Sequence, residues 1–108
     1  MERLITDSPD NWVILQLPNN QFKVFGVWFG GYLSGDQWKL NSGIAKIEED
    51  ENHYYFTGCS GSCYQCGKHN YGLIGGYGPT ILGQLLEDKT DIVVLEELED
   101  FIEVTGLV

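Results

Sequence analysis

The sequence predicts an α+β domain: an antiparallel β-meander of about five strands followed by one or two C-terminal helices packed on the sheet. Three observations carry that expectation. Up to residue 66 the apolar runs are rich in β-branched and aromatic residues and are separated by turn formers. From Pro79 onward the apolar positions change to helical spacing. The chain has 108 residues and is 43% hydrophobic, which suits one compact domain spanning 1–108 and excludes large enzyme scaffolds.

The first strand is read in Asn11-Trp12-Val13-Ile14-Leu15-Gln16-Leu17, ended by Pro18-Asn19-Asn20, where Pro fixes φ and Asn tolerates a left-handed turn. A second strand over 22–29 completes a hairpin. Its two faces, Phe22, Val24 and Gly26 against Lys23, Phe25 and Val27, are both partly apolar, which predicts a strand packed on two sides. Residues 38–47 read as one strand interrupted at Ser42-Gly43, with a bulge near Gly43 to restore the face of Ile47. The acidic run Glu48-Glu49-Asp50-Glu51 then turns the chain into His53–Gly58, and residues 62–66 return as the second arm of a hairpin.

The helical spacing is set by Ile81, Leu82, Leu85 and Leu86, with Pro79 suited to a first turn, where its missing N–H costs little. Asp91–Leu95 is a short strand candidate. Leu95, Leu98, Phe101 and Ile102 mark one face of a second helix, whose other face would carry Glu96, Glu97, Glu99, Asp100 and Glu103.

Charge divides the chain unevenly. The formal net charge is −10, from 16 acids and 6 Lys/Arg. Residues 52–86 contain no carboxylate, while 87–108 contain eight acids against Lys89 alone. This balance excludes direct binding to nucleic acid and to anionic membrane, since phosphate neutralisation needs clustered cations. No apolar run reaches the roughly 20 residues of a membrane helix. With no basic-then-apolar leader at the N-terminus, the expectation is a cytoplasmic protein with reduced thiols.

The stretch with the most chemical character is Cys59-x₃-Cys63-x₂-Cys66-x₂-His69. Over eight residues its cysteine spacing resembles the cluster-binding loop of radical-SAM enzymes. Gln65 stands where that family has an aromatic residue, and its barrel needs a far longer chain, so the resemblance carries no expectation here. Cys59, Cys63, Cys66 and His69 also form a candidate Cys₃His zinc set. Strand alternation opposes it, because a hairpin about Ser60-Gly61, or one with the loop Ser60–Ser62, unites at most two of the thiols. The favoured reading is that the cysteines are buried or half-buried small residues of a hairpin, and a Cys59–Cys63 redox pair and a thiol nucleophile with His53 or His69 as base are the remaining alternatives. His53 lies six residues before Cys59, about 20 Å along an extended strand and too far for a hydrogen bond.

The glycine-rich segment 71–80 lacks the Gly-Lys-Ser/Thr ending of a phosphate loop and reads as a connection into the helix. Tyr64, Tyr71 and Tyr77 around it suggest a contact surface. The function expected is therefore a small, acidic, non-enzymatic protein–protein interaction module, of the kind represented by immunity proteins and phage-encoded inhibitors. Its expected partner is a basic protein surface, met by Glu48, Glu49, Asp50 and Glu51, by Tyr64, Tyr71 and Tyr77, and by Glu96, Glu97 and Asp100. Homo-oligomerisation stays open. The alternatives are a zinc module and a thiol-dependent redox protein or enzyme.

Overall fold

The computed structural model describes residues 4–19, 21–29, 35, 37–89 and 91–95. Among the described residues seven strands and one helix are formed: β1 (Asn11–Gln16), β2 (Phe22–Trp28), β3 (Gln37–Leu40), β4 (Ile44–Glu49), β5 (His53–Gly58), β6 (Cys63–Gly67), α1 (Tyr77–Leu85) and β7 (Val93–Leu95). The α+β class holds, but the expected single meander is two. One sheet has the order β3-β2-β1-β7 and the other β4-β5-β6, with every adjacent pair antiparallel.

The four-stranded sheet forms the middle of three layers. In β1 the side chains alternate between two interiors, so that Trp12, Val13, Ile14 and Leu15 are all buried. Trp12 and Ile14 join Val24 of β2 against Tyr54, Phe56, Tyr64 and Cys66 of the three-stranded sheet. Val13 and Leu15 join Phe25 and Val27 against Leu82 of α1. The two-sided reading of β2 is thus realised, and hairpin β1–β2 pairs Asn11 with Val27 through Gln16 with Phe22.

Residues 38–47 are not one interrupted strand. They are β3 of one sheet and β4 of the other, joined by a corner at Asn41–Gly43. Asn41 makes the exit possible: its backbone N–H donates to Val24 O at 3.0 Å, and its side-chain Oδ1 accepts from Val24 N at 2.8 Å. Both ladder groups of Val24 therefore stay satisfied where β3 ends. Gly43, at φ +125°, completes the corner in a conformation that L side chains rarely adopt. The expected bulge is present two residues on, where the β4–β5 register shifts between Ile44 and Lys46.

The segment before β1 runs along the outer edge of β6. The amides of Thr6 and Asp7 both donate to Cys63 O, and Gln65 N donates to Asp7 O. This occupies polar groups that an open edge would otherwise offer to another chain. Pro9 then lies over Gly26, where a Cβ would come within 2.9 Å of the proline ring.

At the other end of the chain, α1 begins two residues before Pro79, which falls in its first turn as expected. Leu95 does not open a second helix: it is a buried strand residue of β7, paired with Ile14. The rest of that expected helix, from 96 onward, lies outside the described residues.

Candidate functional site

The acidic run sits at the tip of the β4–β5 hairpin. Glu48 and Glu49 end β4, opposite Tyr55 and Tyr54, and Asp50–His53 makes the turn. Asp50 organises that turn as an aspartate at the head of a turn commonly does, by capping backbone amides ahead of it. Its Oδ1 accepts from Asn52 N at 2.9 Å and His53 N at 2.8 Å, while Oδ2 accepts from the Tyr55 hydroxyl. These bonds, the Tyr55 one foremost, hold the Asp50 carboxyl at a pKa of about 2, well below its ordinary 3.8.

Two lysines partly offset the other carboxylates. Lys46 Nζ is 3.6 Å from Glu48, and Lys68 Nζ pairs with Glu49. The Lys68 ammonium also lies 5.0 Å from the centre of the Tyr54 ring, and its pKa is raised chiefly by its hydrogen bond to Glu49. Glu51 projects into solvent. The turn is thus a hydrogen-bonded tip carrying four acids and two flanking cations. Glu96, Glu97 and Asp100, the other acidic residues expected at the contact, lie outside the described residues.

Of the tyrosines expected on a contact surface, Tyr64 is buried, while Tyr71 and Tyr77 are half-buried. Tyr64 is 3% exposed, packs between the sheets, and has its phenol pushed up to about 12, mainly by burial. Tyr71 stacks edge-on against Trp12 at 4.8 Å between ring centres. Its hydroxyl accepts from Ile14 N at 3.0 Å and donates to Leu95 O at 2.6 Å, bridging β1 and β7. Tyr77 packs on the α1 side of the central sheet. Tyr64 is turned inward by strand alternation in β6, whereas Tyr71 and Tyr77 pack from the glycine-rich connection and the start of α1 onto the central sheet.

The cysteines take neither hairpin register expected from the sequence. Thr57 pairs with Cys63, and Gly58 N donates to Ser62 O, so the loop is Cys59-Ser60-Gly61. Cys59 is exposed in that loop; Cys63 and Cys66 are buried; all three are free thiols. Cys66 faces the core between the sheets, and the odd spacing puts Cys63 on the other face of β6. Burial drives the Cys66 thiol far above its ordinary pKa, which disfavours the thiolate needed by a nucleophile or metal ligand. His69 is exposed in the turn after β6, and among the described residues no group of three or more His, Cys, Asp or Glu is placed to hold a metal ion.

One concave feature has no counterpart in the sequence reading. A cleft of about 240 Å³ lies at the end of α1, against β1 and β3. Its aliphatic walls are Leu15, Leu17, Leu40, Leu85, Leu86 and Ile92, and its polar lining is Lys23 and Lys89. No linear motif announces it, because its residues come from four separate parts of the chain. The sequence signal was a lysine, Lys23, sharing a strand face with Phe25 and Val27.

No protein-family model, curated protein or solved structure matches this chain.

Proposed function

We propose that the chain is a non-catalytic interaction module that offers the acidic β4–β5 tip to a basic protein surface. The organisation of Asp50 carries this reading. Three hydrogen bonds to one carboxylate fix the turn, so that Glu48, Glu49, Asp50 and Glu51 keep one arrangement. A pre-ordered set of charges loses less entropy on association than the same charges on a loose loop. The depressed pKa keeps Asp50 ionised throughout the neutral range. A basic partner would displace or share Lys46 and Lys68, and the complementary fields would chiefly raise the association rate.

The test is zero-length carbodiimide coupling, which joins carboxylates to lysines in contact, in lysate of the source cells, followed by mass-spectrometric mapping. The expected result is a lysine-rich protein joined through Glu48, Glu49 or Glu51. Capture should fall steeply between about 50 mM and about 300 mM salt as the screening length shortens. It should also be lost in the triple variant Glu48→Gln, Glu49→Gln, Glu51→Gln, which leaves Asp50 and its turn intact. Coupling confined to other carboxylates, or capture indifferent to both salt and the triple variant, overturns the proposal.

A further inference from the structure

We propose that the cleft at the end of α1 is a binding site for a small amphipathic anion, an unbranched aliphatic chain of medium length ending in a carboxylate. Its walls and its charge each point to one half of such a molecule. The walls are wholly aliphatic. They offer no ring for stacking and no side-chain hydroxyl, amide or carboxylate, the groups by which sugars and nucleobases are fixed. At about 240 Å³ the cleft falls below the roughly 300–1,000 Å³ common for drug-sized ligands, so its occupant is short.

The headgroup follows from the lysines. The chain has 16 acids and only 6 Lys/Arg. Lys39, Lys46 and Lys68 each pair with a carboxylate, at Asp7, Glu48 and Glu49. Lys23 and Lys89 have no ion-pair partner among the described residues, and both line the same cleft. Lys23 is half-buried on the α1-facing side of β2, opposite Leu15 of β1. Lys89 is exposed, so both lysines can lay their apolar stems along the cleft wall and keep their ammonium groups at its rim. In so acidic a chain, two lysines that line one aliphatic cleft and have no ion-pair partner among the described residues are complementary to a carboxylate with an alkyl tail. Lysine suits that role as a compact point charge on a flexible apolar stem.

This site shares no residue with the acidic β4–β5 tip, and its test is independent of any protein partner. The probe is decanoate, titrated by calorimetry and by methyl NMR of the full chain, with decan-1-ol and decyltrimethylammonium as neutral and cationic controls. Decanoate is expected to bind below about 1 mM, with shifts centred on Leu15, Leu85 and Ile92, and to bind more tightly than either control. Lys23→Met and Lys89→Met keep the stem volume while removing the charge. Together they are expected to weaken decanoate at least about fivefold and leave decan-1-ol unchanged. Near-UV circular dichroism and the unliganded Tm verify that the variants fold, and Lys23→Met alone is expected to hold or raise Tm while reducing the rise that decanoate induces. Equal affinity for decan-1-ol, undiminished binding in the double Met variant, shifts centred elsewhere, or no binding up to about 1 mM would each overturn the assignment.

Discussion

Tyr71→Phe removes one oxygen atom and tests how the short β7 is held to the middle sheet. β7 pairs with β1 over three residues, and at the Ile14–Leu95 pair the Tyr71 hydroxyl bridges an amide and a carbonyl. Ile14 is wholly buried and Leu95 is 6% exposed, so water cannot readily replace the lost hydroxyl. A buried polar group left without a partner costs about 1–3 kcal/mol. Two such groups, with some relaxation of the strands, give an expected loss of roughly 2–4 kcal/mol. The unfolding entropy of a chain this long is about 0.23 kcal/mol/K, so even the lower figure moves Tm down by about 9 °C. The assay is urea denaturation with hydrogen exchange read at Ile14. The midpoint should fall at unchanged slope, and the Ile14 amide should lose protection before amides of the β1–β2 ladder do. A loss under about 0.5 kcal/mol with Ile14 still protected would refute the bridging role, since the two strands would then close on each other without it.

Because the folded pKa of Asp50 lies below the ordinary 3.8, its contribution to the turn is fully present above about pH 4–5 and is lost as pH falls toward 2. A carboxyl-carbon NMR titration of Asp50 should give a midpoint near 2, and Tyr55→Phe should raise it toward 3.8; a midpoint unmoved in that variant refutes the assigned cause. Iodoacetamide on the native protein should label Cys59 alone, with Cys63 and Cys66 reacting only after denaturation; native labelling of Cys66 would contradict its burial between the sheets. Gly26→Ala puts a methyl group 2.9 Å from Cβ of the Pro9 ring, which has little freedom to yield, and should cost about 1–3 kcal/mol in chemical denaturation. A neutral result there would mean that the segment before β1 shifts at no cost.

The strands were legible where β-branched and aromatic residues ran together between turn formers. Residues 11–17, 22–29 and 53–58 could be placed from their composition, and the two apolar faces of β2 told of a layer on each side. The corner at Asn41–Gly43 was not legible, because an asparagine standing in for the next rung of a ladder looks like any other polar residue. The sequence showed the break, and only the structure shows that the chain changes sheets there. The burial of Tyr64 was not legible for a related reason: an aromatic residue near a glycine-rich stretch has the composition of a contact loop, while its burial depends on what packs above it. The hairpin register at Cys59–Cys63 depended on one residue of loop length. That one residue decides which side chains face each other.

The middle layer also sets an order of events during synthesis. Hairpin β1–β2 is complete at Trp28, but the helix that covers one of its faces ends at Leu85. At about 5–20 residues per second the interval between them lasts roughly 3–11 s. Through that time Val13, Leu15, Phe25 and Val27 lack the helix that covers them, and a two-stranded hairpin alone is marginally stable at best in water. That apolar face therefore stays uncovered until α1, just ahead of the acidic stretch that starts at Glu87, has been made.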